Sequence, residues 1–352
     1  MQQTLRNAIS NNYANNLPFV VYAYPGSMQI TAVIQNQSGS FVHKHSDRGF
    51  IFAPFTSEHD TLFIPSEQST VITYGIELPE TKEGEVDVPI DASDKNAHIA
   101  LVNKAVEEIV HTDLEKVVIS RAQELRLHNF DPVAMVKELL EQDSQVFRYA
   151  WFHPVSGLWV GATPEVLLTI SDNNFKTMSL AGTRSALVAE KRAWTTKEYH
   201  EQKVVTDSIA ENLEPFSESL QISEVTTVRA GNLEHLRTDF EGVLKEGYRW
   251  SQLANTLHPT PAVCGSPRDK ALDFILNNEN YNRTYYTGYL GPIDLLKGEK
   301  NLYVNLRCMK IQNNTATLFT GGGITEESDP TAEWEETCKK QHAMLKLLRQ
   351  FL

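Results

Sequence analysis

The chain carries two matched pairs of glutamates. Asp329 followed by Pro330 is an N-cap with proline at the first helical position, so a helix begins there and runs almost to Leu352. On it Glu333 and Glu336 share a face, with Lys340 four residues further on. A second helix, from about Thr195 to Leu213, presents Glu198 and Glu201 at the same spacing. Two such helices could hold a hard divalent cation such as Mg²⁺, which takes oxygen ligands and keeps waters that a substrate can replace. Glutamates at this spacing more commonly form a solvated helix face, and the spacing alone leaves both uses open. Just ahead of the first pair stand Gly321, Gly322 and Gly323. They form neither a P-loop nor a GxGxxG fingerprint. A turn or bulge after the strand "ATLFT" is one use for them. Backbone approach to an anion, with N–H groups donating to a carboxylate, is the other.

Two further residues suit acid–base work. Lys116 opens the apolar run "KVVIS", where a lysine is ordinarily exposed; turned into a cleft, its amine would be a usable base. Glu165, in "ATPEVLL", is either a strand-edge charge or an acid kept protonated by apolar surroundings. His235 in "LEHLRT", His258 in "LHPTP" and Arg307 in "NLRCMK" do not stand out one by one.

The elements that must position these residues are mixed. Short β-rich runs between 18 and 75 ("PFVVYAYP", "MQITAVIQ", "GFIFAPF", "TLFIP", "TVITYGIEL") are punctuated by Gly, Pro and Asn, the pattern of an antiparallel sheet. The acidic "PETKEGEVDVP" reads as a loop. Ile99, Val102, Val106, Ile109 and Val110 follow at helical spacing, then the strand "KVVISRAQEL". Asp131-Pro132 opens another helix, "VAMVKELLEQ". "QVFRYAWFHP" and "LWVGATPEVLLTI" read as two strands of a hairpin about Ser156-Gly157, and further strands are expected at 284–293, 301–311 and 315–320. No repeat or flexible linker divides the chain, and strands and helices do not alternate as βαβ units. The expectation is a single α+β domain over 1–352, with a β-rich part at 1–90 and a catalytic core at 95–352.

Composition narrows the function. Of 352 residues 41% are apolar, enough for a packed core, and 45 acidic against 32 basic side chains give a net charge of −13. No basic stripe suits a phosphate backbone, so nucleic acid is not an expected partner. Three cysteines without a CxxC pair argue against a disulfide framework or a cysteine zinc site, and fit a reducing compartment. With neither a signal-peptide pattern at the N-terminus nor a run of about 18 apolar residues, a cytoplasmic protein without a membrane span is expected.

Taken in order, "KVVISR", "GATPE", "LAGTR", "KEYHE", "LEHLRTDFEG", "LHPTPAVCGSP", "NRTYYTGYLG", "NLYVNLRCMKI", "LFTGGGI" and "PTAEWEETCKK" resemble the chorismate-utilising enzymes, a family that includes isochorismate, salicylate and anthranilate synthases and aminodeoxychorismate synthase component I. The likeness runs from about Lys116 to the C-terminus, whereas the first 90 residues match only as a β-rich region. It implies the family's fold of mainly antiparallel sheets flanked by helices. "GATPE" and "GGGI" differ from the commoner "GASPE" and "GAGI" only conservatively. Members that use ammonia carry glutamine at the position of Lys116, and those with a lysine nucleophile carry it at the position of Ala181. Lysine at 116 with alanine at 181 is the pattern of members whose nucleophile is water, and "LHPTPAVCGSP" is similar to the isochorismate synthase form.

By this resemblance Glu201 and Glu336 ligate Mg²⁺ directly and Glu198 and Glu333 through its waters. Lys116 is then the base for water and Glu165 the acid for the leaving hydroxyl. Arg307, Lys340, Tyr286 and the backbone of Gly322 and Gly323 offset the two carboxylates of chorismate, and His235 lines the ring pocket beside Thr183. Isochorismate, which feeds both menaquinone and siderophore synthesis, is the expected product. Salicylate formation with loss of pyruvate and a non-catalytic ligand- or metal-binding relative are the alternatives. No glutaminase partner is implied, and a monomer is expected.

Overall fold

In β1 (Phe19–Ala23) every residue is buried, so no in-and-out alternation of polar and apolar residues marks it. The cause is that both of its faces are covered. Phe19, Val21 and Ala23 join one apolar cluster, while Val20 and Tyr22 join another on the opposite side. The computed structural model describes residues 1–39, 41, 48–76, 92–142, 145–186, 193–230, 233–295 and 298–352. The expected acidic loop at 79–89 lies outside them.

Two antiparallel sheets are stacked. The first runs β14 (Gly265–Ser266), β6 (Lys116–Arg126), β18 (Thr315–Ile324), β17 (Cys308–Gln312), β8 (Gly157–Thr163), β7 (Phe147–His153), β1, β2 (Gln29–Gln35) and β5 (Ser69–Gly75). The second runs β11 (Ser217–Ile222), β13 (Leu233–Leu244), β10 (Asn174–Ser185), β9 (Val166–Ser171), β16 (Glu299–Val304), β15 (Tyr289–Ile293), β3 (Gly49–Ala53) and β4 (Leu62–Pro65), with β12 (Thr226–Ala230) also on β13. Aromatic side chains, among them Tyr22, Phe50, Phe52, Trp151, Trp159 and Tyr303, fill the space between the sheets.

Helices cover the outer faces. On the first sheet α1 (Gln3–Ala14), α3 (Pro132–Leu140) and the end of α7 (Pro330–Leu348) close one core. α2 (Ala92–His111) and α6 (Arg268–Asn278) pack beside β6. α4 (Thr196–Leu213) and α5 (Trp250–Leu257) cover the second sheet. The expected caps are present. Asp131 accepts from the amides of Val133 and Ala134, and Asp329 accepts from Ala332.

Several sequence expectations need correction. The β-rich N-terminal part divides between the sheets, β1, β2 and β5 in the first and β3 and β4 in the second. The β7–β8 hairpin forms, but "LWVGATPEVLLTI" is two strands, because Pro164 has no N–H for a ladder and the chain turns there from one sheet to the other. The strand expected at 301–311 likewise breaks at 305–307, where the chain returns to the first sheet. Residues 284–287 form turns, with Thr284 and Thr287 at positive φ, so the strand expected from 284 begins at Tyr289. The three glycines are neither turn nor bulge: they continue β18, with Gly321 opposite Ser120, Gly322 opposite Ile119 and Gly323 opposite Val118.

Candidate active site

Both breaks between the sheets place a site residue. Glu165 sits at the first and Arg307 at the second, and the two crossings are tied together. The amide of Val304 donates to the carbonyl of Glu165 at 3.0 Å, and that of Ala162 donates to the carbonyl of Arg307 at 3.0 Å. Asn305, fully buried, fastens the second crossing by accepting from the Tyr149 hydroxyl and donating to the Tyr285 carbonyl at 2.8 Å. Arg307 adopts a positive φ of 45°, a conformation held by these neighbours.

A pocket opens where the sheets part. Glu165, Thr183, Glu201, His235, Tyr286, Arg307 and Lys340 line it, with Gly321 and Gly323 as one wall. β17 pairs only with residues 315–319 of β18, so from Thr320 onward one edge of β18 has no strand beside it among the described residues. Polar backbone on that edge is therefore available to a ligand.

The charges in the pocket are unequal. Glu165 is buried, and burial raises its pKa to about 7 against the opposing pull of Lys116, Thr260, Arg307 and Lys340. The Thr260 hydroxyl donates to its Oε1 over a long 3.5 Å. Arg307 has no carboxylate within ion-pairing distance among the described residues, and burial holds its pKa below the usual guanidinium value. Its Nη2 lies 3.3 Å from Nε2 of His235. A guanidinium can only donate, so Nε2 accepts and the imidazole proton sits on Nδ1, 3.1 Å from the carbonyl of Gly182 and 3.2 Å from the hydroxyl of Thr183. Burial, then Arg307 and Lys340, depress the pKa of His235 to about 3. His235 is thus a neutral ring that orients Arg307. Gly182 makes this arrangement possible: its φ of +67° forms the irregularity in β10 before Thr183, and a side chain there would stand 3.2 Å from Glu198 Cβ.

Lys116 is fully buried at the end of β6, with Nζ 3.1 Å from Oε1 of Glu201. It is not exposed at a strand entrance. It lies behind Glu201 and Gly323, and a Cβ at Gly323 would meet Glu201 Oε1 at 2.3 Å and Lys116 Cε at 2.8 Å. The strand pleat separates the glycines: Gly321 and Gly323 face the pocket, whereas Gly322 is nearest Oε2 of Glu333, at 3.0 Å from its notional Cβ. Lys340 lines the pocket, where it donates to the Gly321 carbonyl at 2.9 Å and pairs with Glu336 at 2.7 Å, so it already holds two partners.

The four glutamates differ in what they hold. Glu198 closes the capping box of α4, accepting from the amide of Thr195 at 2.7 Å and from its hydroxyl. Glu201 faces Lys116 and Glu336 faces Lys340, while Glu333 accepts from Lys197 and, at 2.8 Å, from Ser328. With these partners, no set of three or more His, Cys, Asp or Glu side chains is gathered closely enough to share a metal ion among the described residues. The donors nonetheless suit a hard divalent cation. They are all carboxylates, Glu333 lies within electrostatic reach of both Glu336 and Glu201, and Gly322 and Gly323 lack side chains where two of them approach β18. Burial and Glu336 together raise the pKa of Glu333, the response of carboxylates short of positive charge.

Thr260 and Lys197 were not singled out from the sequence. Both stand inside motif segments, "LHPTP" and "KEYHE", but only the fold shows that one faces Glu165 and the other Glu333.

A family model described as chorismate binding enzyme matches residues 64–349. The chain belongs to this family. Within it, the salicylate biosynthesis isochorismate synthase of Pseudomonas aeruginosa is 32% identical over 268 residues, covering 73% of this chain and 56% of that protein. The chain therefore spans little more than half the length of that curated relative. Isochorismate synthase MenF of Escherichia coli is 28% identical over 314 residues, 85% of this chain and 70% of the relative. Its solved structure has a TM-score of 0.76 at 23% identity, covering 94% of this chain and 88% of that one. Anthranilate synthase component I of Streptococcus pneumoniae follows with a TM-score of 0.68 at 17% identity, covering 93% and 90%. Both likenesses establish that this chain shares the fold.

Proposed function

We propose that this chain converts chorismate to isochorismate. The observation that carries the reading is the pairing of unlike groups in one pocket: a carboxyl held protonated up to about neutral pH, Glu165, and a guanidinium with no ion-paired carboxylate among the described residues, Arg307. The first suits a proton donor to a leaving hydroxyl, the second a substrate carboxylate. Lys116 in place of the glutamine of ammonia-using members, and Ala181 in place of a nucleophilic lysine, favour water as the nucleophile.

The reaction is an isomerisation. Water adds at ring C2, the double bonds shift, and the C4 hydroxyl leaves; one proton is taken from the incoming water and one is given to the departing oxygen. Lys116 takes the first and Glu165 gives the second, from opposite sides of the ring. Arg307, held by His235, grips a carboxylate, and the open edge of β18 at Gly321 and Gly323 accepts the substrate close to backbone. Glu201 and Glu336 would hold Mg²⁺ directly, with Glu333 and Glu198 reaching it through its waters. When bound, the ion supplies positive charge for the ring carboxylate of a dianionic substrate. The chain acts on chorismate alone, as a monomer, without a glutaminase subunit and in the cytoplasm. No described helix is long and apolar enough to cross a membrane.

Menaquinone synthesis is the favoured destination of the product, being the more central of the two pathways that draw on isochorismate. The deciding experiment incubates the purified protein with chorismate and Mg²⁺, with and without excess EDTA, and separates isochorismate, salicylate, anthranilate and pyruvate. Isochorismate without pyruvate, abolished by EDTA, is the expected result. Salicylate with pyruvate would move the chain to the salicylate-forming branch, and turnover in EDTA would remove the metal.

A further inference from the structure

Lys197, one residue ahead of Glu198 on α4, faces the other metal candidates. Its ammonium donates to Oε1 of Glu333, whose same oxygen accepts from Ser328. Glu201 and Glu336 lie within its electrostatic reach as well, so three carboxylates act on one ammonium. The neighbouring lysines differ. Lys116 is fully buried against Glu201, and Lys340 is tied to both Glu336 and the Gly321 carbonyl. The Lys197 side chain is 25% exposed and its carboxylate partner only 2%. The lysine stem can therefore swing to water while Glu333 stays in place.

We propose that Lys197 is a built-in counter-ion for Glu201, Glu333 and Glu336, and that a divalent cation binds there by displacing its ammonium. The proposal rests on the reading of these glutamates as the Mg²⁺ ligands and adds what competes for them. Three converging carboxylates repel one another unless a positive charge stands among them, and a tethered ammonium supplies one. Exchanging it for a monovalent ion gains no charge, whereas a divalent ion gains one. Competition with Lys197 thus lowers the affinity for Mg²⁺ and favours divalent over monovalent ions.

The test is calorimetric titration of Mg²⁺ into the full chain, without substrate, for the wild type, Lys197→Met and Lys203→Met. Lys203 is an exposed lysine of the same helix paired with Asp207, and it controls for net charge. Lys197→Met is expected to tighten Mg²⁺ binding about tenfold, and Lys203→Met by less than about twofold. A parallel melt with and without Mg²⁺ should show a larger Mg²⁺-dependent rise in Tm for Lys197→Met than for the wild type, which reads out the same exchange even where the variant is less stable. Equal tightening in both variants, or unchanged or weaker binding in Lys197→Met, overturns the counter-ion while leaving the metal site standing. No uptake of Mg²⁺ by either the wild type or Lys197→Met overturns both.

Discussion

Nη2 of Arg307 lies 3.3 Å from Nε2 of His235, and the opposite ring nitrogen lies 3.1 Å from the carbonyl of Gly182. The chain Gly182–His235–Arg307 therefore runs in one direction, from a backbone acceptor through a neutral imidazole to a charged donor. Replacing His235 by Leu leaves Arg307 unanchored without removing a proton-transfer group. KM for chorismate should rise about tenfold, with kcat falling less, and the pH profile should keep its shape. A loss confined to kcat, or a lost limb in the pH profile, would instead make His235 an acid or base.

The alkaline limb of the pH dependence is expected to belong to Glu165. An acid catalyst works only while it carries its proton, and burial raises the pKa of this carboxyl to about 7. On the alkaline side turnover should accordingly fall as pH rises through that value. Glu165→Gln cannot donate a proton and should lose about a hundredfold or more at every pH, and the alkaline limb near 7 should disappear with it. Lys116→Ala should cost at least about a hundredfold as well. Calorimetric titration should show Mg²⁺ still bound by both variants. Full activity in Lys116→Ala would remove it from the reaction.

The residues of this site were legible in the sequence where a chemical type and a local pattern coincided. Asp329-Pro330 fixes the start of α7, and with it the shared face of Glu333 and Glu336. What was not legible depends on the second sheet. Glu165 looked like part of one continuous strand because apolar runs flank the segment Thr163-Pro164-Glu165; only the stacking of two sheets makes that proline a corner. For the glycines the local pattern left a turn and a backbone approach to an anion equally open. Their reason is the approach of Glu201, Lys116 and Glu333 from elements distant in sequence. β1 lacked alternation for the same kind of cause, cover on both faces. Local pattern located the charged residues, and long-range packing decided what each one faces.

Gly323 offers a direct check of that packing. A methyl group there would stand 2.3 Å from Glu201 Oε1 and 2.8 Å from Lys116 Cε, closer than van der Waals contact permits. Gly323→Ala should push both side chains aside and cost about a hundredfold in turnover. Gly322→Ala meets only the end of Glu333, at 3.0 Å, and should cost less. Steady-state rates of the two variants beside wild type test the order. A more damaging Gly322→Ala would reverse the assignment of the two faces of β18.

A buried ion pair holds Lys116 and Tyr286 in one frame. Arg283 and Glu279 form an ion pair in which both side chains are 2% exposed. Arg283 also donates to the carbonyls of Val118 at 2.6 Å and Val263 at 2.9 Å, and Glu279 accepts from the amide and hydroxyl of Ser120 at 2.7 and 2.8 Å. The pair thus ties β6, two residues beyond Lys116, to the loop carrying Tyr286 and Thr287. Removing one partner strands a buried charge, so Glu279→Leu and Arg283→Met should each cost about 3–5 kcal/mol and lower Tm by several degrees. The double variant removes both charges and should recover part of that stability. Turnover should not recover with it, because the carbonyls of Val118 and Val263 and the amide of Ser120 have lost their partners and β6 is no longer clamped. Thermal melts and rates on the two single variants and the double variant separate these effects. A double variant with wild-type turnover would show that the pair serves stability alone.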